Sequence, residues 1–334
     1  MKKLLKGMVT PFLLTVLIIS FSVIDLFHYA KYSAKADAPE KSVIISPGQD
    51  LRALSKQLAV EGIIAHPTKF KLFARIKGYD KKLKTGEYLL SGKMSPAAIL
   101  QAIVDGKVRL YRLTIPEGYN LKQISKVVAD SGLESESEFL KMATDAVFLE
   151  QEGIDGKTFE GYLYPDTYFF PKGVGAKKII RTMVHRFWSV YTAEWQERTE
   201  DVGFSVHEMV TLASIIEKET GISLERPVVS SVFHNRIKMG MRLESDPTVI
   251  YGIEAFDGNI THKHLLTHTP YNTYTQKGLP PGPIANPGKP SIQAALYPAD
   301  TLYVFFVSKG DGTHQFSTSI TEHEQAVKLY QLHR

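Results

Sequence analysis

Two carboxylates stand in the segment LASIIEKE (residues 212–219), a run that otherwise reads as the inside of a helix. The preceding SVHE (205–208) places Glu208 three residues after Ser205, the pattern of a capping box. Counted from that start, Val206, Val210, Ala213 and Glu217 are spaced four, three and four, so Glu217 falls on an apolar stripe. Met209, Leu212, Ile216 and Glu219 form a second stripe displaced around the helix. A helix that is apolar on most sides is buried, and a carboxylate on it is either paired with a cation or kept protonated by desolvation. The second condition is what a general acid needs near neutral pH. Periodicity does not choose between Glu217 and Glu219, and a structural ion pair is the alternative for both.

Three other segments could bind or position a substrate. FEGYLYPDTYFF (159–170) interleaves Glu160 and Asp166 with Tyr162, Tyr164 and Tyr168. Aromatic faces against pyranose rings, with acids holding hydroxyls, would grip a polysaccharide; a Tyr-rich core segment would look the same. FHNRIKMGMRLESDPTVIYG (233–252) ends a helix and brings Asn235, Arg236 and Asp246 into one stretch. TPYNTYTQKGLPPGPIANPG (269–288) supplies Tyr271, Asn272 and Tyr274, then stiffens through Pro280, Pro281, Pro283 and Pro287 into what could be a rigid cleft wall. His264 and His268 stand four apart beside His262, but no HExxH and no suitably spaced carboxylate accompanies them. Neither a metal nor any other cofactor is expected.

The elements that must position these residues follow from the rest of the chain. Its 334 residues suffice for about two domains. The absence of cysteine excludes disulfides and thiolate chemistry. A formal charge of +5 is a mild bias, and with no phosphate-cradling glycine loop or base-stacking aromatic stripe, nucleic acid is not indicated. Lys2, Lys3 and Lys6 precede an uncharged run from Gly7 to Ile24, eighteen residues and about the minimum for a membrane span. SAKADA offers the small residues of a signal-peptide cleavage site, but signal cores are usually shorter, which favours a retained anchor. Lys31 and Lys35 weaken the charge asymmetry, yet either reading places the chain beyond about residue 30 outside the cytoplasm.

A small polar stretch (32–42) reads as a linker, and then the sequence echoes itself. ISPGQDLRALSKQLAVEGI starts at Ile45 and IPEGYNLKQISKVVADSGL at Ile115, aligned on Gly48 and Gly118. Each copy predicts a strand, a Gly turn, an Asp50 or Asn120 cap and a short helix closed by Gly62 or Gly132. The first copy continues as strand, helix, helix, strand, helix, a compact α+β unit ending near Lys107. From Tyr111 onward one larger mixed α/β domain is expected, with helices over 177–198, 206–220, 227–239, 292–297 and 322–333 and a strand over 301–309.

The first copy resembles the LysM module, which binds N-acetylglucosamine-containing polymers. Over nearly the whole chain, the single anchor, this module, EGYLYPDTY, LASIIEKE, RLESDPTVIYG, YNTY and GLPPGPIANPG occur in the order found in membrane-bound endolytic murein transglycosylases of the MltG type, which the chain therefore resembles. The resemblance implies a catalytic glutamate at Glu217, the first Glu of IEKE, with Glu160, Tyr164, Asn235, Asp246, Tyr271, Asn272 and Tyr274 as substrate-binding residues. It implies non-hydrolytic cleavage of the β-1,4 bond between N-acetylmuramic acid and N-acetylglucosamine in nascent peptidoglycan strands, leaving 1,6-anhydro ends beside the peptidoglycan synthases (penicillin-binding proteins). It also implies a single-pass protein of the bacterial inner membrane, with a tail (1–7), anchor (8–25), linker (26–42), LysM-like domain (43–110) and extracytoplasmic catalytic domain (111–334) bearing its glutamate on a helix. A lysozyme-like hydrolase, with Asp246, Glu160 or Glu219 as second carboxylate, and an inert cell-wall-binding scaffold are the alternatives.

Overall fold

A computed structural model describes residues 2–35 and 37–332, with side chains of the first helix described from Leu13 onward. The fold is α+β and divides into two units. One runs through Tyr111 and takes in Pro171–Gly173; the other comprises Arg112–Phe170 and the chain from Val174 on.

In the first unit α1 (Lys2–Lys31) leads to the order expected from the sequence: β1 (Lys41–Ile45), α2 (Leu51–Val60), α3 (Pro67–Ile76), β2 (Gly86–Leu90) and α4 (Pro96–Asp105). β1 and β2 pair antiparallel, Lys41 opposite Leu90 and Ile45 opposite Gly86. Their inward residues Val43, Ile45, Tyr88 and Leu90 close on Leu54, Leu58, Phe70, Phe73 and Ile99 from the helices. The linker expected over 26–42 is corrected at its start. α1 continues to Lys31 and buries Leu26 and Ala30 in this same core, so its last turns pack against protein.

The second unit opens with β3 (Tyr111–Thr114), which straddles the boundary, followed by α5 (Leu121–Asp130), α6 (Glu136–Ala143), α7 (Ala146–Gln151) and β4 (Thr167–Phe170), the partner of β3. The sequence echo is geometric: Gly48 and Gly118 both turn with φ near +75° (78° and 73°), a region that L side chains avoid. Asp50 accepts from the Ala53 N–H and Asn120 from the Gln123 N–H as helix caps. The second copy also closes on a return strand, β4, inside the Tyr-rich segment.

The chain continues through α8 (Ala176–Val190), α9 (Ala193–Val202), α10 (Val206–Glu219), α11 (Arg226–Lys238), α12 (Asp246–Tyr251), α13 (His262–Leu266) and α14 (Lys289–Leu296). It ends in β5 (Phe305–Ser308), antiparallel to β6 (His314–Ser317), then α15 (Ile320–Val327) and a π-helical turn over Lys328–Leu332. The single helix expected over 177–198 is two, because Tyr191 and Thr192 leave helical geometry and the Tyr191 hydroxyl is tied to Thr199 across the bend. The strand expected over 301–309 shortens to Phe305–Ser308. Asn235 donates to the carbonyls of both Thr301 and Tyr303, holding that stretch out of the ladder. The helix expected over 322–333 starts two residues earlier, where Ser319 caps it.

Candidate active site

α10 forms as its capping box dictates: the Ser205 hydroxyl accepts from the Glu208 N–H, and the Glu208 carboxylate accepts from the Ser205 N–H. Every residue from Met209 to Ile216 is buried. The two carboxylates at its end, two residues and thus about 200° apart around the helix, face different surroundings.

Glu217 has apolar neighbours on its own helix, but its carboxylate meets polar groups brought by three other segments. Gly288, capping α14, donates its N–H to Oε2 at 3.0 Å, adding the positive end of a helix dipole. Arg226, at the start of α11 and itself buried, places Nη2 3.5 Å from Oε1 and bonds Ser223 through Nη1. The apolar stripe on which the sequence places Glu217 is thus met by a cation, the pairing that the sequence had left open. The Arg226 Nε is buried with no hydrogen-bond partner among the described residues, a spare donor beside the carboxylate. The Gly118 turn packs against the Glu217 side chain: a Cβ there would lie 3.5 Å from Cγ of Glu217.

A second carboxylate, Glu117, reaches the same place. Its Oε1 occupies the volume that a Cβ on Gly288 would take, at 2.0 Å, so both carboxylates touch Gly288. Burial pushes the Glu117 carboxyl above its usual range, the charge of Glu217 adds to that, and Arg226 opposes it. Neither Glu117 nor Arg226 stood out in the sequence. The signal for Glu117 lay in the echo, where the first copy has Pro47 at the matching position.

Glu160, expected to touch substrate, lies in the interior at 3 % exposure. Its carboxylate accepts two bonds from the Leu121 N–H (3.1 and 2.9 Å), one from Asn286 Nδ2 (2.9 Å) and one from the Tyr251 hydroxyl (3.1 Å). Burial raises this carboxyl to about 7, with the hydrogen bonds pulling the other way. Asn286 accepts from the Leu163 N–H and, through its carbonyl, from Gly118. Glu160 and Asn286 therefore knit the loops carrying Glu117, Tyr164 and Gly288 into one frame around Glu217. Tyr164 is buried within it, under the Arg186 guanidinium, and its phenol is raised by burial.

Asn235 and Asn272, also expected to touch substrate, bond the backbone of their own chain. The buried Asn272 donates to the carbonyls of His264, Leu265 and Thr267, closing the end of α13, and accepts from the Tyr274 N–H. Tyr271 is half-buried against Tyr251, whose hydroxyl bonds Glu160. His264 caps its own helix and His268 bonds Thr275; among the described residues no three His, Asp or Glu side chains gather as metal ligands.

Asp246 and Tyr274 do come together, the Tyr274 hydroxyl donating to Asp246 at 2.7 Å. They line a polar cavity of about 440 Å³ with Glu219, Arg236, His314 and His323. Burial raises the Glu219 carboxyl to about 7, the Ser245 hydroxyl that it accepts from opposes this, and Asp246 adds to it. Glu217 does not line this cavity, so α10 serves two polar sites, one on each flank.

A model of the YceG-like family matches residues 43–329. The endolytic murein transglycosylase of Bacillus subtilis is 32 % identical over 305 residues, covering 86 % of this chain and 84 % of that protein. That of Streptococcus pneumoniae is 26 % identical over 327 residues, covering 87 % of this chain, which spans only 59 % of that longer relative. The crystal structure of a yceG-like protein from Listeria monocytogenes superposes with a TM-score of 0.60 at 33 % identity, covering 87 % of this chain and all of the other. With the family model spanning most of its length, the chain belongs to the YceG-like family.

Proposed function

We propose that the chain is an endolytic peptidoglycan transglycosylase, cleaving the β-1,4 bond between N-acetylmuramic acid and N-acetylglucosamine within nascent strands, with Glu217 as both acid and base. The observation that carries the reading is the setting of Glu217. It is one carboxylate at the end of a buried helix, with Gly288, Arg226 and Glu117 converging on it. The names of the Bacillus and Streptococcus relatives support the same activity.

Protonated Glu217 gives its proton to the glycosidic oxygen as the C1–O bond of the muramyl residue breaks, and the anomeric carbon becomes oxocarbenium-like. The new carboxylate, with Arg226 and the Gly288 N–H in place to receive it, takes the proton of the muramyl 6-hydroxyl as that oxygen bonds C1. No water is consumed, and Glu217 ends protonated, ready for another cycle. One carboxylate suffices because the substrate tethers its own nucleophile at high effective concentration. Asp246 and Tyr274, on the other flank of α10, are assigned to a more distant part of the strand.

Glu117 keeps one second reading open, a hydrolase in which it activates water. Glu117→Gln separates the two: a hydrolase loses activity as completely as with Glu217→Gln, whereas the transglycosylase keeps forming 1,6-anhydro ends.

α1 is long and apolar enough to cross a membrane, its candidate span covering Leu13–Lys31. We assign it as an inner-membrane anchor with both units on the extracytoplasmic side, working beside the peptidoglycan synthases. The β1–α2–α3–β2 order supports a LysM-like, glycan-binding first unit. Binding of N-acetylglucosamine oligomers by the full chain, unaffected by Glu217→Gln, tests it.

A further inference from the structure

Residues 67–84, α3 and the turn after it, carry seven Lys and Arg against a single acid, Asp80. α3 buries Phe70, Phe73 and Ala74 in the first unit, yet Leu72 and Ile76 stay 50 % and 52 % exposed on its outer side, with Arg75 and Lys77 exposed beside them. Exposed aliphatic residues flanked by cations are the composition of a helix that lies in a membrane interface. A solvated basic helix would not ordinarily show two such residues one turn apart.

The contacts of α3 with α1 fix its height. Lys69 pairs with Asp25 at 2.7 Å and lies over the Tyr29 ring; Phe73 meets Phe27 edge to face, and Lys77 lies over Phe27. Residues 69, 73 and 77 extend over about 12 Å of α3, while their partners 25, 27 and 29 occupy about 6 Å of α1. α3 therefore crosses α1 at one level instead of running along it. That level is set by sequence: within the candidate span Leu13–Lys31 every side chain from Leu13 to Ile24 is exposed, and from Asp25 and the buried Leu26 on, with Phe27 still exposed, α1 enters the folded unit. No flexible segment separates the apolar stretch from the folded unit.

We propose that α3 is an interfacial helix whose exposed Leu72, Arg75 and Ile76, with Lys77 at its C-cap and Lys81 in the turn that follows, seat on the phosphates of an anionic phospholipid surface at the membrane that α1 crosses. The inference rests on α1 as a membrane span. An apolar pair enters the acyl boundary while the cations meet lipid phosphates, and the rigid α1–α3 crossing holds both at headgroup level.

The absence of native cysteine allows single-site labelling of the full chain. Leu17→Cys and, separately, Leu72→Cys would carry a fluorophore, in vesicles of phosphatidylcholine with and without phosphatidylglycerol. Nitroxides placed in the acyl chain or on the headgroup report depth. The proposal expects acyl-chain quenching at 17 and headgroup quenching at 72 that strengthens with phosphatidylglycerol and is lost in Arg75→Glu/Lys81→Glu. Quenching at 17 with none at 72 overturns the interfacial seat alone. Quenching at 72 that ignores both phosphatidylglycerol and the charge reversals overturns the recognition of anionic lipid. No quenching at 17 overturns the span on which the inference rests.

Discussion

At the scale of single residues, the second unit separates carboxylates by their surroundings. Glu217 and Glu117 share Gly288, and burial together with the charge of Glu217 raises the Glu117 carboxyl while Arg226 opposes this. Glu117→Gln removes a titrating group with a raised carboxyl beside Glu217, so the pH–rate profile of the variant should change shape. A profile that keeps its shape while the rate falls would assign Glu117 a structural role only. Glu160 receives only donors, so Glu160→Gln must set an amide N–H₂ against one of them. It should cost about 2 kcal/mol, seen as a lowered melting temperature with Glu217 still in place. Glu160 and Glu219 ionise near 4.5 when unfolded and near 7 when folded. The folded chain holds the extra protons between those values, so their contribution to stability is greatest below the unfolded value and is lost as pH rises to about 7. Urea unfolding at about pH 5 and about pH 8 should show that loss, reduced in Glu219→Gln.

At the scale of elements, the site exists because loops without regular structure are held by buried polar groups. Gly161 (φ 87°) lets its loop lie against the proline-rich segment and α10. A Cβ there would fall 2.5 Å from Pro283 and 2.8 Å from Val210. Gly161→Ala should cost about 2–4 kcal/mol, measurable by thermal unfolding. Gly288 differs, because its φ of −77° suits any residue and the three atoms nearest to a Cβ there all belong to the carboxylate end of the Glu117 side chain. Gly288→Ala should leave melting nearly unchanged while displacing Glu117 and lowering activity. Legibility in the sequence follows the same division. α10, with its capping box and stripes, and the glycine-punctuated echo were readable because local chemistry determines them. The bonds that Asn235, Asn272 and Glu160 make within the chain were not readable, because an amide or carboxylate bound to backbone carbonyls or N–H groups has the same sequence signature as one presented to substrate. The convergence of Glu117, Arg226 and Gly288, separated by as many as 171 positions, depends on tertiary packing that no local pattern encodes.

At the scale of the whole molecule, the apolar run at the N-terminus was legible from composition. Its continuation as helix into the core of the first unit was not, since Leu26 and Ala30 look the same whether they face lipid or protein. A chain trimmed to residue 31 loses Leu26 from that core and should melt lower than one trimmed to residue 25, the lost side chain being worth ~2–3 kcal/mol. What the intact chain does to a glycan strand is read from the bond that it breaks and the ends that it leaves. The most direct test is mass spectrometry of the products formed from uncrosslinked glycan strands by the full-length protein in detergent, with Glu217→Gln alongside. Internal cleavage should give 1,6-anhydromuramyl ends that disappear in the variant while its melting temperature is retained. Reducing muramyl ends from the native chain, or anhydro ends persisting in Glu217→Gln, would contradict the proposed function.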